Sequence, residues 1–320
     1  WSSDVCSSDL AKCEIAAGTG NDCFSPEQLI TVEQWAVMLC RAYGAETIRD
    51  SWQDVGRSSV VEAYRQGWLN ETALSAPRSP MCRSVLVESA FAAADVPVYD
   101  STLYEGGASL STADNILRVG RELGLCSDDA DTNALVTRGD AAIILHVVLT
   151  QSFRIEEPPV PVTLVNAAGV NVNDFLLELR KLPEQVLDAF NAAGWTYCID
   201  FDYMGGLSKK LNMSCIGATN YSRKTIYISE ASATLHEFGH FLDWMLGFPA
   251  EHEQLFRAEA AAAPLRDYAK TNAREYFADC FAYWVKYAEN ANAISLLQEC
   301  APLTFRYMGK ITDSGYTCSK

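Results

Sequence analysis

Histidine is scarce in this sequence and positive charge is outnumbered. There are four histidines in 320 residues, and 25 lysines and arginines face 41 aspartates and glutamates, for a net charge of −16. That deficit argues against a nucleic-acid partner, because nothing supplies the clustered cations that displace counterions from a phosphate backbone. Long apolar runs are also missing: "AAIILHVVLT" at 141–150 is far shorter than the roughly 18 residues a membrane-spanning helix needs. None of the eleven cysteines forms a C-x-x-C pair, which removes the usual signature of a structural zinc site. So many cysteines are unusual in a reducing cytosol and fit export to an oxidising setting, with buried thiols in an anaerobe as the alternative. The chain shows neither an initiator methionine nor a charged-then-apolar leader, so an export signal would have to lie outside it.

The length predicts about two domains. The first 150 residues read as a repeated plan of helix, polar loop and second helix. The fullest copy, 107–150, has an amphipathic helix ending near Gly124, an acidic loop, and "VTRGD" opening an apolar helix. Residues 51–98 repeat it, with "SSVVEAYRQGWLN", the loop "SAPRSP" and "SVLVESAFAAADV". Residues 13–44 hold a truncated copy, in which the loop "GTGNDCFSPEQ" leads into "TVEQWAVMLCRAYG". Ahead of it stands "WSSDVCSSDL", which lacks helical periodicity and resembles translated sequencing-adapter sequence. Residues 1–12, including Cys6, are therefore read as a non-native start.

The three units resemble S-layer homology repeats, the wall-anchoring modules of many Gram-positive surface proteins. The carrying residues are "FSPEQLITVEQWAVMLCRAYG", "SWQDV" and "VTRGDAAIIL". The resemblance implies an all-α domain over 13–150 in which a signature arginine binds an anionic cell-wall polymer. That arginine falls on Arg138 and Arg83, while Val32 stands in the first copy. Since 13–150 carries 19 acids against 9 lysines and arginines, binding would need a few placed arginines rather than bulk attraction. A degenerate structural or protein-docking module is the other reading.

The proline-rich stretch "RIEEPPVPV" suggests a semi-rigid linker over 151–161. Beyond it, 162–320 begins with helical "VNDFLLELRKLPEQVLDAFNAAG", followed by strand-like "WTYCIDFD" and "KTIYIS". Helices are then expected over 231–246 and about 271–289, with a short helical tail.

Within the first of these helices lies "ATLHEFGHFLDW". His236 and His240, four apart, project from one helix face and can reach a single ion. Zinc suits them, and Glu237 between them is placed to act as general base toward a water. A third ligand must come from elsewhere, and His252 follows too closely. "TNAREYFADCFAYWVKYA" offers Glu275 and Asp279, again four apart, beside an apolar stripe where a carboxylate is costly unless paired. Glu275 is assigned as the third ligand and Asp279 as acceptor of a histidine N–H.

These motifs, with "YAKTNAREYFADCFAYW", resemble the catalytic domain of anthrax lethal factor and its relatives the secreted Pro-Pro endopeptidases. The resemblance covers about 195–310 and implies an α+β zincin-like domain binding one zinc through two histidines and a glutamate. It places on Tyr268 a tyrosine that polarises the scissile carbonyl, a sensible role for a phenol facing a developing oxyanion. It also places at the sheet edge a strand, Lys224, Thr225, Ile226, Tyr227, Ile228 and Ser229, to which an extended peptide substrate adds. Arg274 stands at a substrate-binding position where Pro-Pro endopeptidases carry an acid, a departure that separates this chain from a Pro-Pro preference.

Overall the sequence predicts a mainly α chain with an α+β second half, acting as a secreted or cell-surface zinc endopeptidase. A wall-binding protein whose protease domain has lost activity and a freely secreted effector are the alternatives. By proximity, Cys198 with Cys215 and Cys300 with Cys318 are plausible disulfides, while Cys280 is expected to stay a buried thiol.

Overall fold

The computed structural model describes residues 10–16, 24–47 and 51–317. They fall into two compact units, 1–158 and 159–320.

The first unit is helical: α1 (Val32–Ala42), α2 (Trp52–Arg65), α3 (Glu71–Ser75), α4 (Arg83–Ala93), α5 (Thr112–Glu122) and α6 (Arg138–Thr150). Side-chain caps start most of them. Thr31 and Thr137 form capping boxes with Gln34 and Asp140, and Ser51, Asn70 and Ser111 cap α2, α3 and α5. After α5, Gly124 takes φ +72°, the left-handed stop that glycine adopts without strain.

The three loops that precede α1, α4 and α6 bond to one another in a ring. Ile30 N–H donates to Val136 O, Val136 N–H to Met81 O, and Met81 N–H to Ile30 O, each at 3.0 Å. The first residue of each following helix repeats the pattern: Val32 to Ser79 O, Arg83 to Ala134 O and Arg138 to Gln28 O. Ile30, Met81 and Val136 are almost fully buried, so the ring closes around an apolar plug. Arg138 is itself buried, its Nε donating to Phe24 O at 3.0 Å and its guanidinium lying 4.8 Å from the Phe24 ring. The side chain expected to meet a wall polymer is thus packed inside the unit; Arg83 is half-buried. Leu10 packs into the same core, whereas residues 1–9, Cys6, and the loop residues 17–23 lie outside the described residues.

The second unit holds β1 (Leu164–Asn166), α7 (Asn173–Leu179), α8 (Glu184–Ala192), β2 (Thr196–Ile199), α9 (Phe201–Leu211), β3 (Gly217–Asn220) and β4 (Thr225–Ile228). The helices α10 (Thr234–Met245), α11 (Ala250–Glu259), α12 (Ala273–Lys286), α13 (Ala291–Cys300) and α14 (Pro302–Asp313) follow. The expected strand over 195–202 stops at Ile199, because the Asp200 side chain accepts from Tyr203 N–H at 2.8 Å and starts α9.

The sheet order is β1-β2-β4-β3, with β1, β2 and β4 parallel and β3 antiparallel to β4. This corrects the expectation for Lys224–Ser229: β4 is an inner strand paired on both sides, and the edge beside α10 belongs to β3. Ile226 and Ile228 share one face of the strand and are fully buried, while Thr225 and Tyr227 on the other face are half-buried.

The same order separates Cys198 on β2 from Cys215, just before β3, by the width of β4. Two strand spacings are about 10 Å, beyond disulfide reach. Both are free thiols, which overturns the proposed pairing. Cys280 is a fully buried thiol, as expected, with burial pushing its pKa up. Cys300 is free and Cys318 lies outside the described residues.

Candidate metal centre and substrate cleft

Helix α10 is buried from Thr234 to Asp243, although Thr234, His236, Glu237, His240 and Asp243 are polar. Phe238 and Phe241 hold it in an aromatic cluster with Phe190, Trp195 and Trp244. Its most extensive contact is with α12, and there the two backbones nearly touch. A Cβ built on Gly239 would lie 2.6 Å from Ala278 Cα and 2.7 Å from Ala278 O. The glycine inside the His-Glu-Phe-Gly-His motif therefore sets how closely α12 approaches.

That approach brings the three expected ligands together. His236 Nε2 lies 3.1 Å from Glu275 Oε2 and 3.1 Å from His240 Nε2, and His240 Nε2 lies 3.3 Å from the same oxygen. Ligands at about 2.0–2.1 Å around a tetrahedral zinc stand about 3.3 Å apart, so the triangle is of the right size for such an ion. The atoms themselves also fit. Glu275 Oε2 is buried and finds no donor in hydrogen-bond geometry, although two imidazole nitrogens face it. Two imidazoles and one carboxylate form a donor set suited to zinc.

Asp279, one turn beyond Glu275, accepts from His236 Nδ1 at 2.6 Å. This bond fixes the imidazole with Nε2 toward the triangle. Arg266, a residue the sequence reading passed over, clamps Asp279 from the other side. Its Nε reaches Oδ2 and its Nη2 reaches Oδ1, both at 2.6 Å. Burial works against ionisation of Asp279, but the bonds from His236 and Arg266 outweigh it and lower its pKa. Burial likewise opposes ionisation of Glu275, yet the two facing imidazoles draw its pKa down to about 2. We expect Arg266→Ala to lower zinc affinity by about 10–100-fold, as for other residues that support a ligand from behind. Competition against a chromogenic chelator measures this, and unchanged affinity would make the clamp irrelevant.

Glu237 is 4% exposed and lies against β3. Thr219 Oγ1 donates to its Oε2 at 2.7 Å, and a Cβ on Gly217 would come within 2.6 Å of its Oε1. Only glycine lets the strand pass so close to the carboxylate. Neither Thr219 nor Gly217 carried a signal in the sequence. Tyr268 sits in a 3₁₀ turn over 267–270, its ring 6.3 Å from that of His236 and 5.4 Å from the Arg266 guanidinium. Burial, with the nearby Glu275 and Glu237 charges, raises its pKa, so the phenol keeps its proton at neutral pH.

A cleft of about 890 Å³ runs over these groups, lined by β3, Tyr268 and Arg274, with Leu207, Leu211 and Met213 along its wall. Of the residues expected to bind substrate, Arg274 lines the cleft, whereas Lys224 donates to Ala193 O and stands beside Trp244. The fourth histidine, His252, is held away from the centre. It bridges Asp243 and Tyr307 at 2.7 and 2.8 Å and stacks on Phe277.

Residues 179–311, which include both ligand helices, match the family described as anthrax toxin lethal factor, N- and C-terminal domain. The match supports a lethal-factor-like metallopeptidase domain in this part of the chain. Among solved structures, the chain is similar to the Pro-Pro endopeptidase of Paenibacillus alvei. Identity is 20% and the TM-score 0.38, over 46% of this chain and 96% of that one. No curated protein sequence matches the chain.

Proposed function

We propose that the second unit is a zinc endopeptidase that cuts extended peptide segments. The observation that carries this reading is the convergence of His236 Nε2, His240 Nε2 and Glu275 Oε2 under a cleft with Glu237 on its floor. Zinc held by these three residues would polarise the scissile carbonyl and acidify the attacking water. Glu237, oriented by Thr219, takes the proton from that water and passes it to the leaving amine. Tyr268 donates its phenolic proton in a hydrogen bond to the oxyanion.

The substrate is aligned by β3, whose outer edge pairs with no other strand among the described residues. Ile216 O accepts from Ser229 N–H at 2.9 Å, and antiparallel alternation then directs the N–H and C=O of Gly217 and Thr219 to the open side. A peptide adding there as a strand runs alongside Glu237.

Zinc titration of the metal-free chain tests the centre. Burial opposes protonation of His236, but its bond to Asp279 and the facing Glu275 carboxylate outweigh this and raise its pKa from 6.5 to about 9. The metal-free imidazole is therefore protonated at pH 7.5, and a ligand must be neutral. Calorimetry in buffers of different ionisation heat should show one zinc per chain with release of about one proton, and affinity rising with pH toward 9. His240→Ala should abolish uptake; zinc binding unaffected by that change would sink the reading.

The first unit is proposed to tether the enzyme to a cell wall outside the cell, a reading supported by its three-part helical ring. Its test is co-sedimentation of the full chain with purified Gram-positive walls. Recovery in the supernatant would favour the freely secreted form.

A further inference from the structure

The cleft is lined by two arginines, and they are placed differently. Arg266 is spent on Asp279. Arg274 lies in the first turn of α12, one residue before Glu275, and forms no ion pair or side-chain hydrogen bond among the described residues. Its guanidinium instead stands 4.4 Å from the Phe248 ring and 6.0 Å from the Tyr221 ring, and those two rings meet edge to face at 5.4 Å.

This platform is built at some cost. Phe248 has φ +53°, directly after Gly247 at +80°. A bulky residue in the left-handed region is strained, because its Cβ crowds the following carbonyl oxygen. The strain persists because the turn ends α10, with Phe248 N–H bonded to Asp243 O at 2.9 Å, and it sets the ring beneath Arg274. Tyr221 immediately follows β3, so the guanidinium sits at the Asn220 end of the substrate edge. Of the carboxylates lining the cleft, Glu253 is paired with Arg257, and Glu237 and Glu275 belong to the metal centre. A guanidinium stacked on aromatic rings keeps its N–H donors directed outward and can take a carboxylate in two parallel bonds.

We propose that Arg274 selects substrates bearing an aspartate or glutamate on the Tyr221 side of the scissile bond. This rests on the endopeptidase reading above. The chain's charge of −16 repels acidic peptides at long range, so the preference comes from the local pair and depends on salt.

The test is the cleavage profile of the zinc-loaded full chain on a mixed peptide library read by mass spectrometry. One subsite should be enriched in acidic residues. On matched peptides, kcat/KM for acid over neutral at that subsite should be about tenfold, shrinking several-fold at about 0.5 M salt. Arg274→Glu should invert the preference toward lysine and arginine at the same subsite, and Arg274→Gln should flatten it. Because each ratio is taken within one variant, a general loss of activity does not affect it. If the wild-type chain cleaves, but without acidic enrichment, or if Arg274→Glu leaves the profile unaltered, this inference falls and the endopeptidase reading stands. If the zinc-loaded chain cleaves no peptide at all, both fall.

Discussion

Replacing Glu237 by glutamine is expected to leave zinc bound and to reduce peptide cleavage by about 10²–10⁴-fold, the usual contribution of a positioned general base. The amide has the shape of the carboxylate, so Thr219 still has an oxygen to donate to and the close pass of Gly217 is unaltered. Glu237 is not one of the three converging ligands, so metal content should not change. What is lost is the ability to hold a proton between attack and departure of the amine. Zinc analysis and cleavage of one peptide, measured on the same preparation, give the answer. Retained cleavage would remove Glu237 from the chemistry, while lost zinc would mean the substitution disturbs the ligands.

Gly239→Ala is expected to destabilise the second unit by about 1–3 kcal/mol, the range for overpacking a filled core, and to weaken zinc binding with it. In an exposed helix the same change gains up to about 1 kcal/mol, because glycine is the poorer helix former. Here the added methyl meets the backbone of Ala278, which cannot turn aside as a side chain tip would. The helices must separate, and Glu275 moves away from His236 and His240. Gly205→Ala in α9 is the control: a methyl there meets nothing within 4 Å, and it should be neutral or stabilising. Melting of both metal-free variants and their zinc affinities check this. A Gly239→Ala protein as stable and as avid for zinc as wild type would show that the contact is not limiting.

The convergence of His236, His240 and Glu275 was legible because two i, i+4 pairs, His236 with His240 and Glu275 with Asp279, put chemistry on helix faces by spacing alone. Arg266, Thr219 and Gly217 gave no such signal, since each acts on a residue far away in sequence and only the tertiary approach brings the pair together. The sheet edge was misplaced for a physical reason that the sequence did contain. "TIYI" is β-branched and apolar, the composition of an inner strand, whereas "GATN" is short, small and polar, as edge strands tend to be. In the first unit, the helices opened by "TVEQW" and "VTRGD" and the stop near Gly124 were legible. The burial of Arg138 did not, because it depends on Phe24, 114 positions earlier.

The ring joining Ile30, Met81 and Val136 separates the first unit from an open array of stacked repeats. Open arrays stack in a line, each repeat supported by its neighbours, and they fray from caps at either end. Here each of the three loops lends a carbonyl to one partner and takes one from the other. The array has no terminus in space, although the chain has two. Pulling out any one member breaks two of the three bonds and leaves the other two members held by one.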